Sequence, residues 1–376
     1  MTWLEAASWG STGAVLAALA LLRHHWSRLL PLARDLALPA EPPSVCLCIP
    51  VRDEAAEVGA ALDSWLAQDY PRLTILVVDD GSTDGSTELL QIRAMARPER
   101  LRVLRNDQLP PGWLGKNHAL ALASSQPEAS AADWLLFVDA DVQAAPTLLS
   151  RAVAHALEQA PTDILALVPA VDAVTPGERI ILPMAASAFL LAVPPHQVPN
   201  PRHPAFCGVG AFTLVRRAAY DAVGGHAAVP LEAIDDMMLA RRVKRAGFVN
   251  RVARGGPDLH LRMYHGLGAL VRAMRKNAAA LPAWGLLPAA LPLVLAVGLA
   301  PAWLPFAGHP GLALLLWLLV PVLAGDSQQR LTKRPMDLLW ALWPLTSVVF
   351  ALGTAWALWD RLRGVNHWRG RDVKLR

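Results

Sequence analysis

The chain has 376 residues, a formal net charge of +4 and a 54% hydrophobic composition, with a mean hydropathy of +0.31. That apolar content is high for a soluble enzyme, so segments able to enter a bilayer are sought first. Three cysteines (Cys46, Cys48 and Cys207) exclude a disulfide framework. Cys46 and Cys48 have no second pair to complete a zinc site, so buried reduced thiols are expected. The basic residues flank apolar segments with no interleaved aromatic surface, which excludes a nucleic-acid partner.

The first predicted element is apolar. Residues 6–22 hold no charged side chain, and Arg23, His24, His25, Arg28 and Arg34 follow. The pattern predicts a membrane anchor with a cytoplasmic basic flank over residues 1–34, and no cleaved signal peptide. Residues 35–270 then alternate strands and helices. Strands are expected at "SVCLCIP", "LTILVVDD", "LRVLRN", "WLLFVDADV" and "TDILALVPAV". Helices are expected at "EAAEVGAALDSWLAQ", "GKNHALALASS" and "APTLLSRAVAHALEQA". Continuous apolar strands between helices predict an α/β domain: a Rossmann-like, mostly parallel sheet with helices on both faces. Ligands of such sheets bind beyond the carboxyl ends of the strands. Acids gather there: Asp53 and Glu54, Asp79 and Asp80, Asp139 and Asp141.

Side chains at i and i+2 of an extended chain share a face, so Asp139 and Asp141 can converge on one object. Two unpaired carboxylates repel, and Mg²⁺ or Mn²⁺ is the economical partner of an all-oxygen pair. A helix-capping or turn pair is the alternative. Lys116 opens a helix behind Gly112 and Gly115. A cation is unfavourable at that end of the helix dipole, which suggests a phosphate or ribose partner, against a solvated lysine. Glu54 suits either a ligand or the dipole of the helix that follows it. Asp235 and Asp236 begin another helix, and on the residues alone they pair with Arg241 and Arg242 on its surface.

The C-terminal third is the most apolar. Residues 277–325 contain no Asp, Glu, Lys or Arg. As helix they would reach ~73 Å, more than twice the ~30 Å hydrocarbon core, so two spans are expected with a break at Gly308-His309-Pro310. Leu338–Trp359 predicts a third, and Pro288, Pro292, Pro301, Pro321 and Pro344 should kink or interrupt the set. Residues 271–360 thus form a transmembrane region and 361–376 a basic tail. The connector "RLTKRP" and the tail are both basic, so one segment is expected to be re-entrant or interfacial.

Four motifs in order carry a resemblance: "CIPVRDEA", "VVDDGSTDGS", "DAD" and "LEAIDDMMLARRVKRAG". Over about residues 44–250 the chain resembles family 2 glycosyltransferases of the GT-A fold. "LPPGWLGKNHAL", "GVGAFTLVRRAAYDAVGGH", "RMYHGLGALVRAMRKN" and "NHWRGRDVKL" are similar to membrane enzymes acting on hopanoid or carotenoid lipids. The resemblance implies a metal, Mg²⁺ or Mn²⁺, on Asp141 with Asp139, and Asp139 also contacts the sugar nucleotide. It implies Asp80 on a uracil edge, with Asp79 beside it. Pro50, Arg52, Glu54 and Lys116 would line the donor site. Asp236 would be the general base, with Asp235 its neighbour. His226 and Trp113 are each read either as packing or as acceptor contacts. No QxxRW follows the base helix, which implies transfer of a single sugar. The implied protein is an inverting, metal-dependent transferase in the cell membrane. It would be multi-pass, with its catalytic domain facing the cytoplasm. It would move one sugar from a nucleotide-sugar donor, UDP-linked, to a hopanoid- or carotenoid-type lipid acceptor. A polyprenyl-phosphate sugar transferase and a non-catalytic scaffold subunit are the alternatives.

Overall fold

The computed structural model describes residues 2–159, 161–280, 298–332, 338–363, 365–368 and 371–374. They form two units. One comprises residues 29–170 and 193–262; the other comprises residues 1–28, 171–192 and 263–376.

The first unit is built on one sheet. Its strands are β1 (Val45–Val51), β2 (Leu73–Asp79), β3 (Leu101–Arg105), β4 (Trp134–Phe137), β5 (Gln143–Ala144), β6 (Ile164–Val171), β7 (Thr213–Arg216) and β8 (Asn250–Leu261). The order across the sheet is β3-β2-β1-β4-β7-β6-β8-β5. The half made of β3, β2, β1 and β4 is parallel, as expected. The other half is not, because β7 runs antiparallel to both β4 and β6, and β5 runs antiparallel to β8. The sheet is therefore mixed. The apolar pattern could not reveal this, because a strand buried on both faces reads the same in either direction. Nor does β8 read as a strand, since Gly255, Gly256 and Pro257 interrupt it.

Alternation along the central strands buries both faces. Cys46 and Cys48 point to one face with Leu76, Val78, Leu135 and Phe137, where Leu120, Leu239 and Val243 pack on them. Leu47, Ile75 and Val77 alternate to the other face and are equally buried. All three cysteines are free and buried, as the composition implied. Helices α2 (Val58–Leu66), α3 (Ser86–Ala96), α4 (Gly115–Ser124), α5 (Pro127–Ser130), α6 (Leu148–Glu158), α8 (Arg217–Ala222) and α9 (Asp235–Arg245) complete this unit.

The second unit contains α1 (Trp3–Arg28), α7 (Pro176–Ala192), α10 (Gly266–Ala280) and the helices Pro310–Thr332 and Trp343–Leu362. The tail pairs Val365–Trp368 with Arg371–Lys374 as an antiparallel ribbon. Val15 and Leu19 of α1 pack with Leu304, Leu316, Val320 and Trp343. Large apolar side chains also face outward, among them Trp3, Phe306, Leu314, Leu318 and Leu352. The break expected at 308–310 is present, since Pro310 opens a helix behind Gly308 in a left-handed conformation (φ 83°).

Among the described residues two helices are long and apolar enough to cross a bilayer: Trp3–Arg28, which lies in the expected anchor, and Pro176–Gln197, which lies outside the expected spans. Pro176, Gly177, Glu178 and Arg179 open the latter and Pro183 stands inside it, so its sequence does not read as an uninterrupted apolar run. The C-terminal helices Pro310–Thr332 and Trp343–Leu362 lie on two of the expected spans, and among the described residues the apolar stretches there are Pro310–Pro321 and Leu339–Gly353. Much of the first span expected there, including Pro288 and Pro292, lies outside the described residues.

Candidate active site

Two loops at the carboxyl ends of β1 and β2 are wired to each other. The Asp53 amide donates to Ser82 Oγ (3.0 Å), the Glu54 amide to Ser86 Oγ (2.9 Å) and the Ala55 amide to Asp84 Oδ2 (2.8 Å). In return Asp53 Oδ1 accepts the Thr83 amide at 2.8 Å. Asp53 holds φ at 51°, a strained value for a residue with a side chain, and this lacing is what holds it there.

Asp79 is fully buried and spends both oxygens on the turn. Oδ1 accepts the Ser82 amide (2.9 Å) and Oδ2 the Thr87 hydroxyl (2.5 Å). It therefore shapes the loop that presents Asp80. Asp80 accepts the Asn106 side-chain amide on Oδ1 (2.6 Å) and faces Arg52 Nη1 on Oδ2 (3.3 Å). The same Arg52 nitrogen donates to the Asp80 carbonyl at 2.9 Å. Pro50 is the sixth residue of β1, next to these loops, and pairs with Val78. Asn106, just past β3, was not singled out from sequence; its only signal is its position at a strand end.

The second cluster lies beyond β4. The Asp139 amide donates to the Gly210 carbonyl (2.9 Å), which ties the "DAD" turn to the loop before β7. Lys116, from the first turn of α4, places Nζ 2.8 Å from Asp139 Oδ1 and 3.1 Å from Asp235 Oδ1. The lysine thus has two carboxylates as partners here, whereas the helix-dipole argument looked for a phosphate. Burial would lower its proton affinity, but Asp139, Asp235 and Asp236 outweigh that and hold it charged.

Asp235 and Asp236 line one crevice with Lys116, Asp139 and His226. Their partners are not Arg241 and Arg242. The Arg241 guanidinium lies over Phe206, and Arg242 donates to the Val223 carbonyl. Burial would push the Asp235 carboxyl up, yet Lys116 and His226 hold it well below the usual carboxylate range. Asp236 moves the other way. Burial, then the charge of Asp235, push it up to about 6. Adjacent residues on one helix therefore differ sharply in proton affinity.

Asp141 is pushed up to about 7, first by burial, then by Asp139 and Glu54. A carboxylate among carboxylates is the setting a divalent cation relieves. Mg²⁺ commonly sits on one or two carboxylates and takes its remaining ligands from phosphates and water. The donor set fits that pattern. Among the described residues no group of three His, Cys, Asp or Glu side chains surrounds a common point, so a cation on Asp139 and Asp141 would take its other ligands from outside the protein.

Two glycines permit the approach. A Cβ on Gly208 would fall inside the Asp236 carbonyl, and one on Gly210 would meet Asp139 Oδ2 at 2.5 Å. Gly208→Ala must push the first turn of α9 aside. We expect it to lower kcat at least tenfold and stability by about 1–3 kcal/mol, read by initial rates and thermal unfolding. Wild-type values in both would remove the steric argument.

The sheet, with acids at the ends of β1, β2 and β4 and an acid pair opening α9, defines a GT-A glycosyltransferase fold. Consistent with this, the chain superposes on mannosyltransferase PcManGT from Pyrobaculum calidifontis, solved with GDP-Man and Mn²⁺, with a TM-score of 0.59 at 20% identity, over 95% of this chain and 99% of that one. Residues 46–224 match the Glycosyl transferase family 2 model. Among curated proteins the chain is similar to the beta-monoglucosyldiacylglycerol synthase of Synechocystis sp., 31% identical over 41% of this chain and 31% of the relative. It is also similar to glycosyltransferase AglE of Haloferax volcanii, 30% identical over 30% of this chain and 34% of the relative. The chain thus spans about a third of each curated relative.

Proposed function

We propose that the protein is a membrane-associated, inverting glycosyltransferase that moves one sugar from a UDP-sugar to a hydroxyl of an uncharged membrane lipid. The observation that carries this reading is the placement of two carboxylate sites on adjacent strands. Asp80 and Arg52 stand at the ends of β2 and β1, and Asp139 with Lys116 and the Asp235–Asp236 pair stands beyond β4.

Uracil as the base is supported by hydrogen-bond pattern. Asp80 is an acceptor flanked by donors from Asn106 and Arg52. Uracil presents acceptor, donor, acceptor along its pairing edge and complements that set. Guanine presents acceptor, donor, donor, and its amino group would oppose a donor. Pro50 and Glu54 belong to the same end of the sheet and are assigned to the nucleotide pocket. Asp139 and Asp141 would hold Mg²⁺ or Mn²⁺, which when bound supplies positive charge to the departing diphosphate. Lys116 adds a fixed cation beside them. Asp236, with a proton affinity near working pH, takes the acceptor proton as the hydroxyl attacks.

An alcohol acceptor is favoured over a polyprenyl phosphate. Asp236 faces the crevice as a base, and an alcohol must lose a proton as it attacks whereas an ionised phosphate oxygen has none to lose. The outward apolar side chains of the second unit and the two long apolar helices support a lipid acceptor, as does the name of the Synechocystis relative. The catalytic unit is assigned to the cytoplasm, on the side of the basic cluster at 23–34, and a multi-pass arrangement remains part of the proposal.

Full-length protein in lipid nanodiscs, with Mn²⁺ present, tests this with a panel of UDP- and GDP-sugars against hopanoid, carotenoid and diacylglycerol alcohols and polyprenyl phosphate. Transfer from a UDP-sugar to an alcohol is expected, with Asn106→Ala raising the donor KM about tenfold through loss of Asp80 orientation. Preference for a GDP-sugar, or for the phosphate acceptor, would reject the corresponding half of the proposal.

A further inference from the structure

The helix that carries Asp235 and Asp236 has no side-chain anchor at its start. Ile234 precedes its first turn and offers no oxygen to cap it. Residues 229–234, ahead of it, are neither helix nor strand. Adjacent residues on a helix point about 100° apart, so turning α9 by one residue would exchange the two carboxylates. A contact from elsewhere in the chain must set which of them meets the acceptor.

The start of α4 makes that contact. The Leu114 amide donates to the Pro230 carbonyl at 2.9 Å. Three residues on, Asn117 is 1% exposed, and its Nδ2 stands 2.6 Å from the Val229 carbonyl oxygen and 3.0 Å from that of Glu232. Carbonyl oxygens only accept, so the side-chain amide presents its nitrogen to both, and its two hydrogens meet two acceptors. Asn117 thus spans a turn whose own closing bond, from the Glu232 amide to the Val229 carbonyl, is 3.3 Å long. Lys116, one residue earlier, reaches Asp235.

We infer that Asn117 is a positioning residue for sugar transfer: its amide splints residues 229–232 and thereby sets the rotation of the first turn of α9 and the direction of the Asp236 carboxylate. The inference rests on the proposed role of Asp236. Asn117 does not line the crevice, so it touches no reacting atom in this scheme. Lys116 holds the Asp235 side chain by charge, whereas Asn117 holds the backbone that leads into it. Both come from one turn of α4, which acts as a rigid bracket for the base.

The test compares Asn117→Ala and Asn117→Asp in full-length protein in nanodiscs. Aspartate keeps the shape of the side chain but sets an oxygen against both carbonyls, so it separates hydrogen bonding from packing. Each variant is expected to lower kcat about tenfold with donor KM within about twofold. In an Asp236→Asn background, Asn117→Ala should cost less than about twofold, because a residue that acts through the base has nothing left to position. Hydrogen exchange over residues 229–239 should quicken about tenfold in Asn117→Ala. Wild-type kcat in either variant, a full tenfold loss in the Asp236→Asn background, or unchanged exchange overturns the inference. Undiminished transfer by Asp236→Asn alone would instead defeat the reading of Asp236, while the exchange still decides whether Asn117 splints the turn.

Discussion

Asp236→Asn is expected to reduce kcat about 10³-fold, within the range general-base removal produces, with little change in donor KM. Asparagine matches aspartate in shape, so α9 and the crevice persist, but the amide takes no proton from an acceptor. The wild-type rate should also carry the signature of this carboxyl. Burial, followed by the charge of Asp235, pushes it up to about 6, while Lys116 pulls against both. A base acts only when deprotonated, so kcat/KM should fall as pH drops through about 6; an unperturbed aspartate would place that limb near 4. Rates across pH 4–9 with saturating UDP-sugar would show it. Substantial activity in Asp236→Asn would exclude Asp236 as the base, and an acid limb near 4 would exclude its raised proton affinity.

Lys116→Met is expected to damage both stability and activity. Lys116 bridges Asp139 and Asp235 at 2.8 and 3.1 Å, and the Asp235 side chain is only 5% exposed. Removing one partner of a buried pair strands the other charge, at about 3–5 kcal/mol for full burial. Lys116 itself retains 21% exposure, so about 2–3 kcal/mol at pH 7 is the expectation. The pH dependence has a definite sign. The folded-state proton affinity of Asp235 is depressed, so its stabilisation is present above the ordinary aspartate range and is lost as pH falls through the folded value. The gap between wild type and Lys116→Met in thermal unfolding should therefore be widest near neutrality and close in acid. Transfer should fall about 10²-fold, because Asp139 and α9 lose their common anchor. A variant as stable as wild type at pH 7 would show that the bridge contributes nothing measurable.

The parallel half of the sheet was legible because continuous apolar strands alternate with helices of 3.6-residue period. The acids at strand ends were legible because polar residues abruptly close greasy runs, as in "LLFVDADV". The strained loop at Asp53 was half legible: the Ser, Thr and Asp of "DDGSTDGS" announce a turn. Which of them would wire the turn, and which would face a ligand, they do not announce. Asp79 and Asp84 wire it, while Asp80 pairs with Asn106 and Arg52.

Local sequence determined the elements, the apolar character of both ends and the order of the motifs, because periodicity, capping and hydropathy act over a few neighbouring residues. Tertiary structure alone decided that β7 reverses the sheet and that the helix beginning at Pro176 joins the apolar unit. It also decided that Lys116 bridges acids from two distant segments, and that Asp235 and Asp236 diverge in proton affinity. Those outcomes depend on burial and on charges brought within 4 Å across more than a hundred residues of chain, and Coulomb interactions in a desolvated crevice have no counterpart in local pattern.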